Sequence, residues 1–170
     1  MNAANTDRLI LRAVLAGAAI LAASPLAAQT LGQKIDNDMS RCNAGKGPAV
    51  RVEITGLKSS AGNLFVRTYR AKESDWLKSR RYLHRIDTTP RKGAMSVCVP
   101  LPAAGDYAIV VQHDANGNRE KDFSTDGAGM SNNPEIKTFL GIPRAPELAK
   151  TRFSAGSGVT RIAIQVKYQS

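Results

Sequence analysis

From His113 to Asp122 the chain reads H-D-A-N-G-N-R-E-K-D, with oxygen-bearing side chains at Asp114, Asn116, Asn118, Glu120 and Asp122, every second position. In a loop that curls around a point, carboxylates and amide oxygens at this spacing make a ligand set for a hard cation, and calcium is the natural candidate. Asp114, Asn116 and Asn118 fill the first, third and fifth places of a D-x-[DN]-x-[DN]-G calcium loop. Arg119 stands where that loop has glycine, Gly117 comes two residues early, and Thr125 replaces the bidentate glutamate. With two neutral residues among the leading ligands, the expected affinity is that of weak extracellular modules, about 10⁻⁴–10⁻³ M. The same residue types form turns in which side chains bond nearby backbone, and such a loop would be rigid without metal. Both readings stay open on the residues alone.

His113, at the entrance to the loop, is of the residue type that serves as acid, base or metal ligand. Imidazole is a poor partner for calcium, so the expectation is that His113 orients the loop by hydrogen bonding. The catalytic alternative pairs His113 with Asp114 or Asp122 in a hydrolase acting on a glycan or an ester. A second polar stretch, Gly127 to Pro134, holds Ser131, Asn132 and Asn133, which are expected to fold back on the first loop and satisfy its remaining groups. No G-x-S-x-G elbow or adjacent base marks Ser131 as a nucleophile. His84 has no nearby acidic partner in a recognisable motif and is expected at the surface.

The elements that must hold these loops read as short strands. Val50, Val52 and Ile54 alternate with Arg51, Glu53 and Thr55 in a half-buried strand, and Leu64 to Tyr69 resumes after the turn cluster Ser59 to Asn63, so the two are expected to form a hairpin. Ala94 to Val99 and Tyr107 to His113 are further strands. The run Tyr107 to Val111 is apolar on both faces, which marks a central strand covered on both sides. Ile162, Ile164, Val166 and Tyr168 alternate with polar neighbours in a last strand from Val159 to Tyr168, preceded by a shorter one at Lys150 to Phe153. Ser74 can cap a short helix or irregular segment over 74–81, and Tyr82 to Ile86 looks strand-like. About seven strands with turn signals predict an all-β sandwich over residues 49–170.

Arg8 and Arg12 precede the apolar run Ala13 to Ala23, followed by Ser24-Pro25 and small residues. That order predicts a signal peptide over 1–28, cleaved after Ala28, with no later segment of membrane-spanning length. Cys42 and Cys98 are the only cysteines. In an exported chain they are expected to form a disulfide that ties segment 29–48 to the sandwich. Hydrophobic residues make up 42% and charged residues 22% of the chain, an ordinary globular balance. The formal charge of +10 favours anionic partners. Lys72, Lys78, Arg80, Arg81, Arg85, Arg91 and Lys92 concentrate positive charge, read either as a solvated face or as an anion-facing patch. Without interleaved aromatics for stacking, nucleic acid is not an expected partner.

Three ordered motifs carry a family resemblance: L-P-A-A-G-D-Y-A-I-V-V-Q-H-D-A-N-G-N from Leu101 to Asn118, then Phe123, then G-M-S-N-N-P from Gly129 to Pro134. Together they resemble the bacterial family designated domain of unknown function 2141, whose members show a G-x-Y-A strand, an H-D-x-N-x-N-x-x-x-D loop and a G-x-S-N-N segment in this order. The resemblance spans about Val50 to Lys167 and departs at Arg119, where many members carry glycine, which weakens the cation reading. It implies an exported prealbumin-like or Ig-like β-sandwich and no activity. The expectation is therefore a periplasmic or secreted, non-enzymatic binding or interaction module, with anionic envelope components as candidate partners. A hydrolase built on His113 and a purely structural envelope accessory are the alternatives.

Overall fold

The computed structural model describes residues 30–140 and 142–169; the expected leader over 1–28 lies outside them. In chain order the elements are β1 (Gln33–Ile35), a 3-10 turn (Met39–Cys42), β2 (Ala49–Leu57), β3 (Asn63–Arg70), β4 (His84–Thr88), β5 (Gly93–Pro100), β6 (Gly105–Asp114), β7 (Gly127–Met130), β8 (Thr138–Phe139), β9 (Ile142–Pro143), the helical turn α1 (Leu148–Thr151), β10 (Phe153–Ala155), β11 (Val159–Gln165) and β12 (Lys167–Tyr168). The fold is an all-β sandwich. One sheet runs β1-β4-β3-β6-β7-β12, with β10 also pairing β6, the second runs β11-β2-β5, and β8 and β9 form a small two-stranded sheet. Seven strands, β2 to β7 and β11, have four or more residues. Among the described residues no helix is long and apolar enough to cross a membrane.

The alternating residues do what their period requires. Val50, Val52 and Ile54 of β2, Val97 and Val99 of β5 and Ile164 of β11 face Leu64, Val66, Ile86, Ile109 and Val111 of the larger sheet in one core. Each fully buried aliphatic side chain contributes roughly 1.5–3 kcal/mol. β6 is central, flanked by β3 and by β7 together with β10, and is covered on both faces. Tyr107, Ile109 and Val111 enter the main core, while Ala108 and Val110 enter a second cluster with Tyr69, Trp76, Met130 and Leu148.

Four expectations need correction. β2 and β3 do not form a hairpin, since β2 pairs β5 and β11 whereas β3 pairs β4 and β6. The reason lies in β3 itself: Leu64, Phe65 and Val66 are all buried, so β3 needs cover on both faces and belongs inside the larger sheet. The last strand breaks at Val166. β11 runs parallel to β2, and β12 crosses to pair antiparallel with β7; Val166 stays in the core, so the alternation survives a change of sheet. The stretch from Lys150 begins in α1, and its strand starts only at Phe153. His84 is half-buried, and its buried Nδ1 has no hydrogen-bond partner among the described residues; desolvation holds its pKa below the ordinary 6.5.

Segment 74–81 takes the irregular form. Asp75 and Trp76 N–H groups donate to the Lys72 carbonyl, but Leu77 is left-handed at φ 55° and a helix cannot propagate through it. Tertiary bonds decide the outcome. The Trp76 indole N–H donates to the Pro146 carbonyl at 3.0 Å, and Arg81 donates to the buried Asp75 carboxylate at 2.6 Å.

Segment 30–48 is tied as expected and also by other means. Cys42 and Cys98 are disulfide-bonded, β1 runs parallel to β4, and the Asn37 Oδ1 accepts from the Cys98 N–H at 2.9 Å. The bridge spans a sequence separation of 56, so its loss is expected to cost about 4 kcal/mol by chain entropy. Urea unfolding of a Cys42→Ala/Cys98→Ala variant beside the oxidised parent measures this; equal midpoints would show that β1 and Asn37 hold the segment alone.

Candidate functional site

The polar loop gathers most of the residues flagged by their spacing, and it does so through its own hydrogen bonds. Asp114 ends β6 fully buried. Its Oδ1 accepts from the Gly117 N–H at 2.8 Å, and its Oδ2 accepts from the Arg119 N–H and the Asn63 amide, each at 3.0 Å. Asn116 Oδ1 accepts from the Asn118 N–H and Asn118 Oδ1 from the Glu120 N–H, the Asx geometry these residues favour. The amide nitrogens of Asn116 and Asn118 both donate to Asp122 Oδ2 at 2.7 Å. Glu120 is exposed and joins through its backbone. Asp126, which the spacing did not single out, accepts from the Ala115 and Asp122 N–H groups. Gly62 passes directly below; a Cβ there would lie 1.9 Å from the Asp114 carbonyl oxygen, and its φ is +76°.

His113 points to the opposite face of β6 from Asp114 and is completely buried. Its Nδ1 meets the Tyr168 hydroxyl and its Nε2 meets the Ala61 carbonyl at 2.9 Å. A carbonyl only accepts, so Nε2 carries the hydrogen and Nδ1 accepts from the phenol. The imidazole thus clamps segment 58–62 to β12, with Tyr168 also accepting from the Lys58 N–H. It orients the loop's surroundings, and neither ring nitrogen reaches Asp114 or Asp122.

Ser131, Asn132 and Asn133 do not fold back on the first loop. Ser131 Oγ accepts from the Ile109 N–H at 3.0 Å and donates to the Thr151 carbonyl at 2.5 Å. Asn132 donates to the Arg152 carbonyl. Asn133 donates to the Ala163 carbonyl and accepts from the Gln165 N–H at 2.7 Å. The trio staples β7 to α1 and to β11, because it leaves β7 where the chain passes between sheets and backbone groups there lack ladder partners. Gly129 allows the approach, since a Cβ would fall 2.5 Å from the Gln165 carbonyl oxygen.

An open concavity lies elsewhere, on the outer face of the larger sheet. It is a trough of ≈ 860 Å³. Its floor includes Arg67 and Tyr69 of β3, Val110 and Gln112 of β6, and Met130 of β7; Leu77 to Arg80 with Tyr82, and Glu135, Ile136, Thr138 and Pro143 to Pro146, flank it, and Lys121 to Phe123 of the polar loop close one end. Of the basic cluster, Lys78, Arg80 and Arg85 line it. Arg81 is spent on Asp75, and Arg91 lies exposed, bonding the Ala94 carbonyl.

Charges on this floor are unevenly matched. Asp87 receives Arg85 at 2.5 Å and Lys34 at 3.1 Å. Burial opposes its charge, but these two cations outweigh it and hold the carboxyl below the ordinary 3.8. Arg67 sits opposite Arg85 in the β3–β4 register, and its one side-chain hydrogen bond among the described residues goes to the neutral Gln112 Oε1, at 3.3 Å. Burial, then the neighbouring Arg85, lowers its pKa from the ordinary guanidinium range. Phe65 is buried beneath both guanidiniums, 4.4 Å from Arg85 and 5.7 Å from Arg67 to the ring centre. Sequence reasoning missed Arg67; the available signal was an arginine inside a strand whose two faces are both apolar.

Two outcomes are expected of the polar loops. Ser131→Ala orphans the Ile109 N–H and the Thr151 carbonyl and should cost about 1–3 kcal/mol, measured by denaturant unfolding; no change would mean that α1 is held by packing alone. The Asn116 and Asn118 amides hold the Asp122 carboxyl below the ordinary 3.8. Its stabilisation is complete above that value and is lost as pH falls through the lowered pKa. Carboxyl-detected NMR titration should show Asn116→Ala moving Asp122 back upward, and an unmoved titration would show that the amide bond is not made in solution.

A family model described as "Uncharacterized protein conserved in bacteria" (DUF2141) matches residues 52–163. No curated protein matches the chain, and no solved structure does. The matched region takes in the sandwich from β2 into β11, with both polar motifs, and the chain belongs to this family of uncharacterized bacterial proteins.

Proposed function

We propose that this chain is an exported, non-enzymatic binding module of the bacterial cell envelope, and that the trough on the outer face of the larger sheet is its binding surface. One observation carries the reading: an open concavity of ≈ 860 Å³ floored by apolar strand residues around a half-buried arginine whose one side-chain hydrogen bond among the described residues goes to an amide. Concave, largely apolar sites with a few placed polar groups are the common form of ligand pockets. The formal charge of +10 favours an anionic envelope component as the partner. The acid–base alternative draws little support, since both His113 nitrogens are committed and Ser131 Oγ is buried in its own bonds.

Expressed in a bacterium with residues 1–28, the protein is expected in the periplasm or medium with Gln29 at its N-terminus. Native mass spectrometry should show a bound small molecule that Ala128→Trp, which fills the trough floor, lacks. Retention of an uncleaved chain in the cytoplasm would sink the export, and identical spectra would sink the trough.

A second reading is a weak calcium site at the polar loop, favoured by the convergence of Asn116 and Asn118 on one Asp122 oxygen. Turned amides would offer a cation two oxygens beside that carboxylate. A melting temperature that rises with calcium and no longer does so in Asp122→Ala supports it; equal midpoints in calcium and in chelator remove it.

A further inference from the structure

The trough floor has a division of character that names the class of its occupant. At one place stands a guanidinium. Arg67 is half-buried, its partner is an amide rather than a carboxylate, and directly across the ladder is Arg85, a second cation. Like charges opposite one another in a sheet repel, and Asp87, the carboxylate that relieves Arg85, is shared with Lys34. The other acids lining the trough do not answer Arg67. Asp122 and Asp126 accept from the loop's amides, and Glu135 is exposed at the rim. Beside Arg67 the floor is apolar and aromatic. Tyr69, two residues along the same face of β3, packs edge-on against Trp76 and Tyr82 at 5.5 and 6.4 Å between ring centres; Val110 and Met130, largely buried, continue that floor across β6 and β7, and the exposed apolar side chains of Leu77 and Phe123 line the trough above it.

We infer that the trough takes a small anionic amphiphile, its carboxylate or phosphate head held by the Arg67 guanidinium and its apolar body laid on Tyr69, Val110 and Met130. This rests on the trough being the binding surface. A guanidinium offers a planar fork of donors that matches either oxyanion. The Gln112 bond occupies one of its N–H groups, and among the described residues the others have no hydrogen-bond acceptor, which leaves them to meet a head group. The floor is too apolar to serve an inorganic ion alone and too charged for a neutral hydrocarbon.

Isothermal titration of the mature protein with dodecanoate, dodecyl phosphate, dodecanol and inorganic phosphate tests this. Both amphiphilic anions, or one of them, should bind; which one distinguishes a free acid from a phosphate-headed source. Arg67→Gln should weaken that binding by about tenfold or more, the scale of a charge-assisted fork, and should melt no lower than the parent. Arg91→Gln, which removes the same charge outside the trough, should bind as the parent does. Ala128→Trp should abolish binding altogether. Equal binding by Arg67→Gln, or dodecanol binding as tightly as dodecanoate, overturns the anionic head while leaving the trough as the site. Inorganic phosphate binding as tightly as dodecyl phosphate overturns the apolar body. Failure of both amphiphilic anions to bind the parent overturns the inference, with the native-mass comparison still deciding the trough. Undiminished binding by Ala128→Trp removes the trough and the inference together. A lower melting temperature in Arg67→Gln assigns the residue to the fold and overturns its role as a head-group clamp.

Discussion

β6 is buried on both faces, and most of the architecture follows from that demand. Its inner side chains, Tyr107, Ile109 and Val111, meet the three-stranded sheet in the main core. Its outer ones, Ala108 and Val110, also need cover, yet among the described elements the only further sheet is the two-residue pair β8-β9, and no helix exceeds four residues. Turns do the covering. Segment 72–82 contributes Trp76, segment 144–151 contributes Leu148, and the two meet where the Trp76 indole donates to the Pro146 carbonyl. Irregular segments cannot tile a sheet face as a second sheet does, because their side chains lack a common repeat. The cover is therefore partial, and the uncovered part is the trough.

A second constraint is that buried polar atoms must be paired. His113, Asp114 and Ser131 are each fully buried, and the side chain of each bonds at least one backbone group. Asp114 closes the loop after β6, His113 clamps segment 58–62 to β12, and Ser131 ties β7 to α1. These bonds cluster where β7, β11 and β12 bring the two sheets together. Residue types that elsewhere do catalysis stand here as fasteners for chain crossings, and the ordered motifs of the family map onto those crossings.

Strand positions were legible because period-two alternation reports burial directly, as in β2, β5, β6 and β11. Pairing was less so. Alternation says that Val50 and Leu64 face a core but not which sheet each belongs to, and the decisive clue was the burial of Phe65 between Leu64 and Val66. The switch at Val166 was hidden because both sheets demand an inward side chain there. Segment 74–81 could not be resolved locally, since the Pro146 carbonyl that fixes Trp76 lies 70 residues away. At the site, the alternating spacing pointed to Asp114, Asn116, Asn118 and Asp122, whose side chains are bonded within one loop. It could not tell whether amide oxygens or amide nitrogens would turn inward, because that choice depends on backbone N–H groups competing for the oxygens.

The trough escaped the sequence for a related reason: its chemistry is an imbalance rather than a motif. Surface arginines are ordinary, and the density of them between Lys72 and Lys92 says little because most are solvated or paired. Arg67 differs by context. On the floor of a sheet it cannot extend freely into water, and partial desolvation of a cation carries a cost that an amide partner offsets only in part. Arg85, two strand positions from its own carboxylate at Asp87, shows what a settled arginine looks like on the same face. Replacing Gln112 by an acid would settle Arg67 in the same way. That the chain places an amide there leaves the guanidinium anchored in direction while its charge stays available, which is what a head-group clamp requires and what a purely structural arginine does not.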